Sequence, residues 1–214
     1  LAFETGATRL DCSAQPLGAR DGAPDIVVED WQKTDYKAWT VEGTAFGDGP
    51  IDRKNLPAYQ GDVAGDDERV VNSHASAPGD SIGAKDAATG KLISKPFRIE
   101  RDYLYFLLGG GEHPNQTAFR LLVDGKIVQT ATGKNANLME MRRFETRDLR
   151  GKSAVIEIVD EAQGSWGNIG VGRITQSNRE TLDKSAAELS DFGEMSLMLL
   201  GEAAQHSNMR VVME

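Results

Sequence analysis

Between Asp25 and Ser177 the chain is broken into short runs of β-branched, aromatic and aliphatic residues, separated at close intervals by Gly, Asp, Asn and Ser. The runs are Ile26-Val27-Val28, Ala38-Trp39-Thr40-Val41, Arg69-Val70-Val71, Phe97-Arg98-Ile99, Tyr103 to Leu108, Phe119 to Val123, Ile127 to Thr130, Ala154 to Val159 and Ile169 to Ile174. Each is short for a helix and rich in residues that fit a pleated surface. Many such strands joined by Gly-rich turns predict an all-β protein, an antiparallel β-sandwich of the jelly-roll or lectin-like kind. The sharpest local signal is Asp124-Gly125, set between Leu121-Leu122-Val123 and Ile127-Val128, because a tight hairpin needs the positive φ angles that Asp-Gly supplies. Tyr103 to Leu108 is apolar at nearly every position, whereas Ala154 to Val159 alternates around Glu157. The first is expected to lie centrally and the second to keep one wet face.

The flanks differ. Residues 1–24 are rich in Gly, Ala, Asp and Ser, end in Gly22-Ala23-Pro24, and read as a lead-in or linker. Residues 25–177 form the sandwich module. Residues 178–214 are expected to be partly helical, since Arg179 to Gln205 carries the one helical periodicity, with Met195 and Leu197 to Leu200 followed by Glu202, Ala203 and Ala204. That tail either packs across the sandwich or opens a further domain near Asp191. The chain starts at Leu1 and stops after Val211-Val212-Met213-Glu214, as expected of a piece cut from a longer protein.

Composition narrows the function. With 214 residues the chain allows one large domain, or one domain with appended segments. Its formal charge of −9 opposes binding to nucleic-acid backbones or anionic lipid, which rely on clustered Lys and Arg. A lone Cys12 cannot form an internal disulfide, a zinc ribbon or a dithiol site. No apolar run is long enough to span a bilayer, and Leu1-Ala2-Phe3-Glu4 is not a signal peptide.

Catalytic signals are sparse. His74, His113 and His206 form no metal-binding pair, and Ser73-His74, as neighbours on a strand, would point to opposite faces. There is no Gly-x-Ser-x-Gly elbow, and Gly109-Gly110-Gly111 lacks both the phosphate-loop and the dinucleotide spacing. Acidic pairs such as Asp66-Asp67-Glu68 and Asp160-Glu161 are plentiful among 33 acids, so none singles out a glycosidase pair. They are first of all solvated loops, and next in line a structural calcium site. An independent glycoside hydrolase would need two carboxylates facing one cleft, and no specific pair offers itself.

Asp160 to Ile169 combines acids, Gly, Trp166 and Asn168 at a strand end. That composition suits a sugar, which presents an apolar face to an aromatic plate and hydroxyls to acids and amides. The alternative is that Trp166 plugs the core.

Longer motifs recur in a family order: Asp30 to Gly47, Val71-Asn72-Ser73, Gly109-Gly110-Gly111, Leu122 to Lys126, Thr130 to Gly133 and Ile158 to Glu161. Over about Ile26 to Ser177 the chain resembles the levanase-type β-sandwich module, which accompanies family 32 glycoside hydrolases acting on fructans and also occurs in large exported multidomain bacterial proteins. The resemblance implies a non-catalytic sandwich, carbohydrate-binding in ancestry, taking fructan or another polysaccharide and contacting a neighbouring domain of the same polypeptide. It implies export to the periplasm or cell exterior and no cofactor. The family reads Asp-Phe-Glu-Gly where this chain has Asp30-Trp31-Gln32-Lys33, and Trp-Gly-His-Ile-x-Val-Asp where it has Trp166 to Gly172. Its Trp-x-x-Trp-Asp is here Met141 to Glu145. Each hydroxyl left unpaired in a buried sugar site costs roughly 1–3 kcal/mol, so three such losses are enough to abolish fructose binding.

By motif position the ligand candidates are Asp30, Gln32, Ser73, His74, Arg101, His113, Glu161, Trp166 and Asn168. Arg101 either clamps hydroxyls or forms a structural ion pair, and His113 either faces a ligand or bonds a loop carbonyl. The rival reading is a structural spacer that packs on a neighbouring catalytic domain and binds nothing. A concave acidic or aromatic patch would favour the module and a broad apolar patch the spacer.

Overall fold

A computed structural model describes residues 23–182. In chain order the strands are β1 (Ile26–Glu29), β2 (Trp39–Gly43), β3 (Ile51–Asp52), β4 (Arg69–Asn72), β5 (Gly90–Ser94), β6 (Phe97–Arg98), β7 (Tyr103–Gly110), β8 (Thr117–Val123), β9 (Lys126–Ala131), β10 (Ala136–Glu145), β11 (Ser153–Asp160) and β12 (Ile169–Ser177). They make two antiparallel sheets. One runs β10-β7-β12-β4-β3 with β1 beside β12, and the other β2-β5-β11-β8-β9 with β6 beside β11. This is the β-sandwich expected from the spacing of apolar runs and turns. Beyond β12, the first compact unit of the chain ends at Asn178. Of the expected lead-in (residues 1–24) and partly helical tail (178–214), residues 1–22 and 183–214 lie outside the described residues.

Period-two alternation builds the core. Phe119, Leu121 and Val123 of β8 and Ala154, Ile156 and Ile158 of β11 face inward, against Leu104, Phe106 and Leu108 of β7 and Ile169, Val171 and Ile174 of β12. Phe106 stacks on Phe119 across the sheets, with centroids 3.9 Å apart and planes 13° from parallel, and Phe144 of β10 closes on Phe106 edge-on. Between β8 and β9, Asp124 (φ 53) and Gly125 (φ 70) adopt the positive φ pair of a type I′ hairpin.

The expected placement of the two most apolar strands is only half met. β7 is buried on both faces, yet it is second from the edge of its sheet, while the half-wetted β11 is central in the other. What covers the outer side of β7 is a second cluster, in which Leu107 packs with Val63, Val70, Met139, Ile51 and Leu56. The apolar run thus reports two covered faces and not a central ladder position.

Several elements escaped alternation. β10 is a ten-residue edge strand whose pattern is masked by Glu140, Arg142, Arg143 and Glu145. Two single-turn helices, α1 (Ser73–Ser76) and α2 (Ile82–Lys85), are started by Asn72 and Ser81, whose side chains accept from the amides of Ala75 and Ala84. Ser73 and His74 therefore lie on a helical turn, not on a strand as expected.

A buried corner fixes the entry to the sandwich. Trp31 (φ 59) donates its indole N–H to the Gly172 carbonyl at 2.9 Å and packs on Trp39 at 5.1 Å between centroids. Glu29 holds it, accepting from the amides of Asp30 and Trp31 and, at 2.8 Å, from the Trp39 indole.

Truncating the inter-sheet stack removes a fully buried ring and leaves a cavity. Phe119→Ala is expected to lower unfolding free energy by about 3–5 kcal/mol, read as a shift of the urea midpoint. An unshifted midpoint would show that the two sheets do not depend on this contact.

Candidate functional site

Six of the nine predicted residues meet at one end of the sandwich, where β4, β7 and β11 finish and β8 and β12 begin. In β12 paired with β7, Ile169 opposes Gly110 and Ser177 opposes Tyr103, so the loop before Ile169 and the loop after Gly110 share this end. They carry Trp166 and His113. Ser73 and His74 follow β4, Glu161 follows β11, and Asn168 immediately precedes β12.

The Trp166 loop is built by backbone hydrogen bonds. Gly164 N–H donates to the Asp86 carbonyl at 3.1 Å, Gly167 N–H to the Gly164 carbonyl at 2.8 Å, and Asn168 N–H to the Trp166 carbonyl at 2.8 Å. This places Trp166 at φ 60, a region that costs a bulky residue about 1–3 kcal/mol. Its ring is half-buried, so it is not the core plug that the alternative reading allowed. Gly111 passes so close beneath that a Cβ there would lie 2.1 Å from the Trp166 carbonyl. His113 donates from Nε2 to the Ser165 carbonyl at 3.1 Å. Glu161 is exposed and pairs with Lys91 at 2.8 Å.

Beneath the loop lies a polar cluster. Ser73 is 1% exposed and its Oγ accepts from the Ile169 amide at 2.8 Å. His74 is 3% exposed, its Nδ1 lies 2.5 Å from Asp86 Oδ1, and Asn168 approaches the same oxygen at 3.5 Å. Asp160, 1% exposed, hydrogen-bonds through Ser73, while its Oδ1 has no hydrogen-bond partner. Burial pushes the Asp160 carboxyl up to about 7, the Ser73 hydroxyl opposes that rise, and the charge of Asp86 adds to it.

The other three candidates lie elsewhere. Asp30 accepts from the Gln32 amide at 3.2 Å in a local turn, and Gln32 is exposed beside the buried Trp31. Both adjoin the middle of β12, since β1 pairs with its second half. Arg101 sits at the opposite end of the sandwich, before Tyr103. Its Nε and Nη2 donate to the Pro24 carbonyl at 3.2 and 3.1 Å, and Glu100 is 4.0 Å away. Arg101 fastens the start of β1.

Asp86, Lys91 and Tyr59 belong to this region and were not predicted. Nothing local distinguishes Asp86 among so many acids. Asp160 was legible, because it continues the inward series Ala154, Ile156, Ile158 and so must face the core. A groove of about 530 Å³ between the edge strands, lined by Gln129–Ala131 and Met141–Phe144, contains none of the candidates. Among the described residues no group of three or more His, Cys, Asp or Glu is placed to hold a metal ion, and no helix is long and apolar enough to cross a membrane.

The Asp160 carboxyl sets a pH dependence of stability. Folded and unfolded chains are both protonated there below about pH 4, but between 3.8 and about 7 the folded chain keeps a proton that the unfolded chain loses. Stability contributed by this group is thus complete at low pH and is lost as pH rises through about 7. Asp160→Asn is expected to flatten the wild-type fall in melting temperature over that window and to exceed wild type at pH 8. Parallel curves would show that Asp160 is not held protonated.

No family model matches the chain. A protein of Aspergillus rugulosus named as a glycosyl hydrolase, ecdE, is 32% identical over 179 residues, which is 82% of this chain. The chain spans 24% of that protein's length. Among solved structures, the K2 cleaved adhesin domain of Lys-gingipain is similar at a TM-score of 0.41 and 15% identity, covering 72% of this chain and 99% of the domain. A variant of the family 29 carbohydrate-binding module CBM29-2 is similar at a TM-score of 0.39 and 13% identity, covering 76% of this chain and all of that one.

Proposed function

We propose that residues 25–177 form a non-catalytic carbohydrate-binding module of a larger exported polypeptide, with its site at the sandwich end that carries Trp166. The observation that carries this reading is the Trp166 ring, half-buried on a strained backbone and set between the loops of His113 and Glu161. Strain of that kind persists only where surrounding structure imposes it, and here it presents an aromatic plate beside polar groups. Glu161, Lys91 and Gln163, at the same end of the sandwich, are charged and amide groups of the kind that bond sugar hydroxyls. The likeness to a quarter of a protein named as a glycosyl hydrolase supports an accessory role beside a carbohydrate-active domain. Fructan is the proposed ligand class, on the resemblance to the levanase-type module.

A second reading, a structural spacer docked on a neighbouring domain, is favoured by exposed apolar side chains on the two edge strands. Ile127 and Val128 of β9 and Leu138 and Met141 of β10 are 52, 41, 53 and 50% exposed.

Calorimetric titration of the full chain with fructose, levan oligomers, inulin and unrelated sugars, with and without calcium, decides between them. Saturable heat with a fructan is expected. Trp166→Ala should weaken it at least tenfold, about 1.4 kcal/mol, without lowering the melting temperature. Heat with another sugar only would replace fructan as the ligand, and silence with every sugar would leave the spacer.

A further inference from the structure

Tyr59, His74 and Asp86 form a hydrogen-bonded series that sugar binding does not require. Tyr59 lies in a 3-10 turn, Ala58–Gln60, with 58% of its surface exposed and its hydroxyl 2.7 Å from His74 Nε2. On the far side of the ring, Nδ1 meets Asp86 Oδ1. A carboxylate oxygen can only accept, so the proton of the neutral imidazole sits on Nδ1 and the Nε2 lone pair faces the phenol. The two rings meet edge-on at 87°.

Each member is held by separate structure. The side chains of Gln60 and Asn72 pair, with Asn72 donating to Gln60 at 3.1 Å, which ties the turn of Tyr59 to the start of α1. Asn72 also caps α1, its side-chain oxygen accepting from the amide of Ala75, the residue after His74, at 2.9 Å. Asp86 is anchored through its backbone, donating to the Ile82 carbonyl at 2.9 Å and accepting from Gly164. Hydroxyl, imidazole and carboxylate in this order are a nucleophile, a base and the group that orients the base.

We infer that Tyr59 is an activated phenol that accepts an acyl group from activated esters, with His74 as its general base and Asp86 as the positioning residue. Tyr59 Oη forms a bond to the acyl carbon as its proton passes to His74 Nε2. The bond from that carbon to the leaving oxygen breaks, and the alkoxide or aryloxide departs and takes up the proton. The products are O-acyl-Tyr59 and the free alcohol or phenol, one per chain. This goes beyond the proposed binding function and needs no sugar, so its failure and that of the sugar titration are separately visible.

The test is reaction of the full chain with p-nitrophenyl acetate at neutral pH, following nitrophenolate release and mapping acetyl groups by peptide mass. One acetyl group on Tyr59 is expected, formed about a hundredfold faster than on N-acetyltyrosinamide under the same conditions. Tyr59→Phe should remove that phase and leave only acylation of amines. His74→Gln and Asp86→Asn, checked by circular dichroism for retained fold, should bring Tyr59 back to the rate of the free amide. Acetylation of Tyr59 no faster than N-acetyltyrosinamide overturns the inference, as does an undiminished rate in a folded His74→Gln chain. Should both variants unfold, the ratio of wild type to N-acetyltyrosinamide still decides.

Discussion

The contact on which this fold most depends is the stack of Phe106 on Phe119. Each sheet by itself exposes an apolar face, and neither is stable until that face is covered. The two rings join the strand second from the edge of one sheet to its counterpart in the other, and Phe144 of edge strand β10 closes on both. Because side chains alternate, fixing these rings fixes which residues of β7 and β8 point inward along their whole length. It also decides which loops gather at each end of the sandwich.

At the end where Trp166 lies, burial is not apolar. Ser73, His74, Asp86, Asp160 and Asn168 are all at most 8% exposed, and they link α1, the residue following α2, β11 and the loop before β12. Polar groups withdrawn from water are tolerated when their hydrogen bonds are replaced, and nearly all are replaced here. Asp160 Oδ1 is the exception, and burial, with the charge of Asp86 adding to it, raises the proton affinity of that carboxyl. The cluster joins the short helices to the Trp166 loop through Asp86, which holds His74 with its carboxylate and Gly164 with its carbonyl. The half-buried Trp166 and the exposed Tyr59 are thus tied to one shared polar cluster.

The surface separates into regions of different chemistry. The Trp166 end also carries the Glu161–Lys91 ion pair and the amide of Gln163, bonded to the Ala87 carbonyl. The edges of β9 and β10 offer aliphatic side chains beside a groove lined by Arg142, Arg143 and Gln129. The opposite end is occupied with structure: Asp102 accepts from Arg147 and Arg150 at 3.0 and 3.1 Å, and Arg101 holds the Pro24 carbonyl.

Period-two alternation and turn chemistry are local properties, and they determined nine of the strands, the Asp124-Gly125 hairpin and the sandwich class from sequence alone. Edge strand β10 stayed hidden because one of its faces meets water and its charges mask the period. The single-turn helices stayed hidden because four residues carry no periodicity. For the site, six of nine candidates were brought together, and Asp160 could have been added from the inward phase of β11. Asp86 and Tyr59 could not. They lie 12 and 15 residues from His74, and only the packing of loops across the end of the sandwich sets their distances to it. Alternation specifies which face a side chain takes, but two loops meet only after both sheets have closed over the phenylalanine core.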